Sequence, residues 1–172
     1  MEREPLIGTD LSTVFRAALR AALLDDLGRA EEVAIEAYIS EMLTKFLHTD
    51  SIFAIRDQSG RRIVAITEML AEGDVTQNAD SFERERQVHK HIGDFLLFWS
   101  GVFPEFLRQL KLSFGGDLIC DYPRQAKASY HLVSTFDYPP YHDDAPTYRR
   151  LSQNFDEYAL ALRRVRERLM IA

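Results

Sequence analysis

The stretch "HKHIGDFLLFWSGVFPE", residues 89–105, decides the fold because it contains the most apolar run of the sequence. On a helical wheel, at roughly 100° per residue, its side chains form an apolar face with further residues flanking it. The face comprises Val88, Ile92, Phe95 and Trp99, and the flanks comprise His91, Leu96 and Phe98. The spacing predicts a helix from about Ser81 to Ser100, buried over more than half of its circumference. Ser100-Gly101 and Pro104 are expected to kink or break it, and Pro104 suits the first turn of a following short helix.

Gly93 and Asp94 interrupt this apolar helix with a notch and a charge. A carboxylate buried without partners is costly, so we expect Asp94 to bond Lys90, His91, or a backbone or tyrosine donor of another helix. Glycine costs a helix interior about 0.5–1 kcal/mol relative to alanine, and Gly93 is therefore expected to let a second helix backbone approach closely. Together the two residues predict a structural polar anchor; a functional acid is the alternative.

The two histidines that open the stretch do not form a metal-binding pair. His89 and His91 are two residues apart, hence about 200° apart around a helix axis, so they cannot aim both imidazoles at one ion. A helical-bundle metal-dependent or redox enzyme would instead need carboxylates and histidines from several helices. The candidate ligands are Glu85 with His89, joined by His131 or by Glu36 and Glu41. No Glu-x-x-His motif occurs, so the di-iron pattern is not met and we predict neither a metal site nor a cofactor.

The segments around this helix are also helical in pattern, with one ambiguous region. A first helix is predicted from Thr9 or Asp10 to a stop at Gly28, and a second over "AEEVAIEAYISEMLTKFLH". Residues 52–66 could pair as a hairpin around Asp-Gln-Ser-Gly, but the helix formers that follow favour a short helix from about Arg61 to Glu72. Pro123 suits the first turn of a further helix, which ends before the loop "DYPPYHDDAP".

The last segment carries a heptad seam, with apolar residues spaced alternately three and four apart. The seam comprises Tyr148, Leu151, Phe155, Tyr158, Leu162, Val165 and Leu169. It predicts one long helix packed against neighbours of the same bundle, or, as the alternative, paired with a second chain. The whole pattern predicts an all-α, single-domain helical bundle over residues 1–172, with five to seven helices and at most one hairpin near residues 52–66.

Composition limits the classes of function. The chain has 172 residues, a net charge of −6 and a pI near 5.4, which disfavours binding to nucleic acid or to an anionic membrane surface. The arginines of "RRVRERL" are interspersed with acids and are expected to form a solvated face. Cys120 is the single cysteine, so neither an intrachain disulfide nor a thiolate metal site is expected. No apolar stretch has signal-peptide or membrane-span length, which predicts a cytoplasmic protein.

The run "GDFLLFWSGVFPE", residues 93–105, followed by Ser129-Tyr130 and a final amphipathic helix, resembles a set of short uncharacterised bacterial helical proteins with a GDxxLFxSGxFxE-like signature. The likeness is strong over the signature and loose over the remainder of Val33 to Leu169. It implies an all-helical fold and no particular activity. The two histidines of the opening stretch lie outside the signature.

No nucleophile or phosphate-loop motif is present, so we expect a non-enzymatic protein-interaction or self-associating module. The aromatic content predicts a homodimer or a protein partner, since a small bundle has little room to bury every aromatic side chain. A metal-dependent or redox enzyme is the alternative function. If a small-molecule pocket exists, the loop "FDYPPYHDDAPTY" at the bundle end is where we expect it. The candidate pocket residues are His91, His131, Tyr138, Tyr141 and His142.

Overall fold

The computed structural model describes residues 7–113 and 115–171 as nine α-helices joined by turns, without a β-strand in those ranges. The helices are α1 (Ile7–Ala21), α2 (Val33–Lys45), α3 (Thr49–Ile52), α4 (Ile66–Glu72), α5 (Phe82–Val102), α6 (Pro104–Ser113), α7 (Tyr122–Ser134), α8 (Ala145–Gln153) and α9 (Phe155–Ile171). A π-helical turn, Ala22–Asp26, follows α1, and a 3-10 turn, Gly115–Asp117, follows α6. The all-α prediction is confirmed, although there are more helices than the five to seven expected.

Local capping explains the helices whose bounds were anticipated most closely. The Ser81 hydroxyl accepts the Arg84 backbone N–H at the start of α5, and the Asp121 carboxylate does the same for Arg124 at the start of α7. α5 runs through Ser100-Gly101 and ends at Val102, so the helix does not break at that dipeptide but before Pro104, the second of the two expected positions. The break occurs at Phe103 because a residue before proline is disfavoured in the helical region.

The structure from Ile52 to Ile66 matches neither the predicted helix nor the predicted hairpin completely. α4 begins at Ile66, five residues later than expected, and the preceding turn has one antiparallel bridge between Arg56 and Arg62. Asp57 Oδ1 accepts the backbone N–H groups of Ser59 and Arg61, at 2.9 and 3.0 Å. Those bonds hold the backbone in a turn, so a helix cannot begin at Arg61.

α5 is the central helix and packs against α4, α6, α7 and α9. On the outside, α2 packs against α1 and α8, and α1 packs against α9. The largest fully buried side chains are Phe95 of α5, Tyr130 of α7, and Phe155 and Tyr158 of α9. Aromatic rings therefore fill the centre where α5, α7 and α9 meet.

The predicted last helix is divided at Asn154 into α8 and α9, so the expectation of one continuous helix was wrong. The seam still faces the core: its members from Tyr148 to Val165 are at most 4% exposed, and only Leu169, at 37%, is partly exposed. The seam thus packs within the chain, as the favoured interpretation held.

Two glycines of α5 allow close packing of different kinds. A Cβ at Gly101 would meet the Leu162 side chain and lie 3.1 Å from the Ala159 carbonyl oxygen, so α9 crosses α5 closely there. A Cβ at Gly93 would lie 2.6 Å from the ring of Tyr130. The neighbour at Gly93 is therefore a tyrosine ring and not the helix backbone that we expected.

Among the described residues, none of the helices combines the length and apolar character required to cross a bilayer.

Candidate functional site

Asp94 lies where α2, α5 and α7 meet and accepts a hydrogen bond from one residue of each helix. Its Oδ1 accepts from the hydroxyl of Tyr38 on α2 at 2.6 Å and from that of Tyr130 on α7 at 2.8 Å. Its Oδ2 accepts from the ammonium of Lys90, one turn earlier on α5, at 2.8 Å. The side chain is buried, at 4% exposure. The burial and bonding expected of Asp94 are thus observed, with tyrosine and Lys90 donors and without His91.

The electrostatics of this cluster keep every donor protonated. Burial raises the pKa of Tyr38 and Tyr130 well above the ordinary value, and the nearby Asp94 charge raises them further. Burial lowers the pKa of Lys90, but the charge and hydrogen bond of Asp94 outweigh it, so the pKa is raised overall. Three fixed donors around one carboxylate hold a charge in place and occupy its oxygens. The arrangement supports a structural anchor better than a general acid or base.

A cleft of about 770 Å³ opens above this cluster, between α2 and α5. Its floor includes Lys90, His91 and Asp94, and its outer end is formed by Asp143 and Asp144 before α8. Burial lowers the pKa of His91. His91 Nε2 is buried without a partner. His91 is therefore a neutral imidazole at the edge of a polar cleft.

The other predicted pocket residues do not gather with His91. Tyr141 lies under the guanidinium of Arg86, 4.0 Å from ring centroid to Cζ, and lines a neighbouring cleft of about 390 Å³ on the other side of Lys90 from His91. His131 and Tyr138 are exposed, and exposed His142 contacts the Asp137 carboxylate at 2.5 Å. The structure therefore separates these five residues between two clefts and the surface.

The side chains considered as metal ligands are also spread apart. Among the side chains that the structure describes, 11–113 and 115–170, no three of His, Cys, Asp or Glu converge on a point where an ion could bind. Glu85 and His89 share a small cleft with Asp74, but His89 Nδ1 is hydrogen-bonded to Ser129 Oγ at 3.0 Å. Burial lowers the pKa of His89 and raises that of Glu85. Glu36 is fully buried in α2, whereas Glu41 is exposed on the same helix.

A groove between α6, α7 and α9 was not predicted from the sequence. It encloses about 590 Å³, with Leu107 and Phe155 at its base and Leu160 on its wall. Its rim carries Arg108, Lys111 and Arg163, none of which has a carboxylate partner among the described residues. The sequence does show one sign of this groove, the pair of cations Arg108 and Lys111 three positions apart in α6. The apolar side chains beside them come from α9, more than 40 residues later in the chain.

Comparisons with protein-family models, curated proteins and solved structures find no significant match to this chain. The resemblance to bacterial helical proteins therefore stays a prediction.

Proposed function

We propose that the protein is a non-enzymatic protein-interaction module and that the groove between α6, α7 and α9 is its binding face. The observation that carries the proposal is an exposed apolar groove rimmed by Arg108, Lys111 and Arg163, cations that no described carboxylate neutralises. Apolar surface rimmed by charge is typical of protein interfaces, where the apolar part supplies affinity and the charges select the partner.

The charge of the groove is opposite in sign to the net charge of the chain. The net charge is −6, yet the rim has three cations, and its one carboxylate, Asp156, is paired with Lys127 at 2.5 Å. A partner bearing acidic groups is attracted to this groove and repelled by the rest of the surface. That contrast would orient the partner before contact.

The alternative of a metal-dependent or redox enzyme requires carboxylates and histidines of several helices to converge on one point. Asp94 is bound by three donors, and His89 by Ser129. The geometry around both side chains favours the interaction module over this alternative. The predicted cytoplasmic location and the lack of affinity for nucleic acid stay predictions.

A homodimer was expected from the aromatic content, and much of that content lies in the core. Trp99 stacks on Phe106 with ring centroids 4.1 Å apart, and Phe98 packs edge-on against Phe46 at 5.3 Å. Self-association by the α9 seam is disfavoured because the seam is buried. If a second copy is the partner, we propose that it uses the same groove.

Photo-crosslinking tests this proposal directly. A photoreactive amino acid at Leu160, in the groove, is compared with one at Leu47, which is 54% exposed elsewhere on the surface. We expect a discrete protein adduct at Leu160 only, and a lower yield when Arg108→Glu is added. A second copy in the adduct would identify self-association. Equal adducts at both positions, or an adduct insensitive to Arg108→Glu, would contradict the proposal.

A further inference from the structure

The apolar groove extends beyond its first cavity along one face of α9. A second cavity of about 380 Å³ shares Pro104 and Arg163 with the first, so the two are adjacent along α9. The second cavity is lined by Gly101, Pro104, Arg163, Arg166, Glu167 and Met170. The combined groove therefore follows α9 from Phe155 to Met170.

The length of this groove indicates the shape of its occupant. Phe155 and Met170 are fifteen positions apart, which corresponds to about 22 Å, or four turns, at 1.5 Å per residue. A groove that follows a helix, with α6 opposite it along the first cavity and Gly101 of α5 beside the second, has the form that accepts another α-helix. A small molecule would occupy only part of that length.

The charges along the groove indicate the chemistry of the occupant. Arg166 donates to the Val102 carbonyl and Arg163 to that of Ser100, so both guanidinium groups are held in place without being neutralised. The carboxylates nearby are already paired, Asp156 with Lys127 and Glu167 with Arg164. With the two cations of α6, four positive charges along the groove have no carboxylate partner among the described residues.

Exposed apolar side chains lie beside these charges. Leu160 and Met170 line the groove and are 38% and 74% exposed. Phe103 is outside the lining of both cavities; its ring centroid lies 4.8 Å from Cζ of Arg166, and it is 45% exposed. Apolar side chains near both ends of the groove, with cations between and beside them, match a ligand that has one apolar face and acidic flanks.

We propose that the groove binds an acidic amphipathic helix of about four turns from a partner protein, with apolar residues at i, i+3, i+4 and i+7. This inference rests on the proposed function and names the element of the partner that docks. The helix lies along α9, and its carboxylates face Arg108, Lys111, Arg163 and Arg166.

Fluorescence anisotropy with the full chain and synthetic peptides tests the inference. The probe is a labelled peptide of about 16 residues, with leucine at the apolar positions and glutamate elsewhere. One control peptide has lysine for every glutamate, and another has the same composition in scrambled order. We expect the acidic amphipathic probe to bind, and each control to bind at least about tenfold more weakly.

Protein variants locate the binding. Met170→Asp and Arg108→Glu are both exposed changes and should each weaken the probe about tenfold or more. The matched controls Leu47→Asp and Arg16→Glu should leave its affinity within about twofold. Circular dichroism of each variant confirms that the helices remain.

Other outcomes overturn the inference in distinguishable ways. Preferential binding of the lysine peptide would reverse the sign assigned to the occupant, and preferential binding of a single-stranded oligonucleotide would make the occupant a nucleic acid and not a helix. A mass that doubles with concentration and returns to one chain in Met170→Asp would make a second copy the occupant. If no probe binds while crosslinking at Leu160 succeeds, the acidic helix is wrong and the proposed function stands. If both fail, the proposed function fails too.

Discussion

Tyrosine hydroxyls supply hydrogen bonds to three buried carboxylates of this protein. Asp94 accepts from Tyr38 and Tyr130; likewise Tyr122 donates to Asp117, and Tyr158 to Glu32. In each pair a carboxylate is joined to an aromatic ring of the core, so the hydroxyl satisfies the charge while the ring contributes apolar contact. The tyrosines of α7 and α9 thus bond carboxylates from α5, from the residue before α2 and from the turn after α6.

Replacement of Asp94 tests its role as an anchor. Asp94→Leu leaves Tyr38, Tyr130 and Lys90 without their acceptor and should reduce the free energy of unfolding by about 3–5 kcal/mol. Asp94→Asn keeps an oxygen for the two tyrosines but loses the charge facing Lys90, and should cost about 1–3 kcal/mol. Urea unfolding at constant m-value measures both. Equal stability of wild type and Asp94→Leu would show that the cluster does not anchor the fold.

Gly93 should tolerate no side chain, because its neighbour is fixed. Gly93→Ala places a methyl group 2.6 Å from the fully buried Tyr130 ring, whose hydroxyl is held by Asp94. We expect a loss of about 1–3 kcal/mol from overpacking. Gly115→Ala is the control, since nothing lies within 4 Å of its added Cβ. Similar thermal unfolding curves for the two variants would contradict this account.

The start of α4 depends on a carboxylate from a distant part of the chain. Asp117 accepts the backbone N–H groups of Ile66 and Thr67, both at 3.0 Å, while Ala65 at the N-cap position offers no side-chain cap. Asp117 therefore performs the capping role that a local serine or aspartate usually performs.

Removal of this cap should loosen α4 selectively. Asp117→Ala leaves two helix N–H groups and the Tyr122 hydroxyl unsatisfied, which should cost about 2–4 kcal/mol. Amide hydrogen exchange should accelerate over Ile66–Glu72 more than over α5 or α7. Asp121→Ala, which removes the cap of α7, is the matched control and should affect α7 instead. Unchanged protection of α4 would refute the role given to Asp117.

Elements were predictable where their signals are local. α5 and α7 have caps within three residues, and their apolar spacing is helical throughout, so periodicity was sufficient. The start of α4 was missed because its cap comes from Asp117, about 50 residues away. The division between α8 and α9 at Asn154 has no proline or glycine to mark it, and the seam continues across it.

The candidate site was likewise predictable only in its local features. The burial of Asp94 followed from its position in an apolar helix, but which tyrosines would bond it depends on the packing of α2 and α7 on α5. Likewise, the cations of α6 are visible in the sequence, whereas the groove they border exists only once α9 lies beside them. Sequence periodicity reports which face of a helix is buried and carries no information about which helix covers it.

The stability of the whole chain should depend on pH through its buried histidines. Burial lowers the pKa of His89 and His91 in the folded state, so below about pH 6.5 the unfolded chain binds more protons. The free energy of unfolding should therefore fall from pH 7.5 to pH 5.5, by up to about 1.4 kcal/mol per pH unit for each histidine. Urea unfolding at the two pH values measures the change. His91→Phe should reduce the dependence, and an identical slope in this variant would exclude His91 as a cause.

The most direct measurement of the proposed binding face is an NMR titration of the isotope-labelled chain with the acidic amphipathic peptide. We predict that the perturbed backbone amides cluster on α6 near Leu107–Lys111 and on the outer face of α9 between Ala159 and Met170, with little change elsewhere. Perturbations centred on Lys90 and His91 in the cleft between α2 and α5, or none at millimolar peptide, would contradict the assignment of the groove as the binding face.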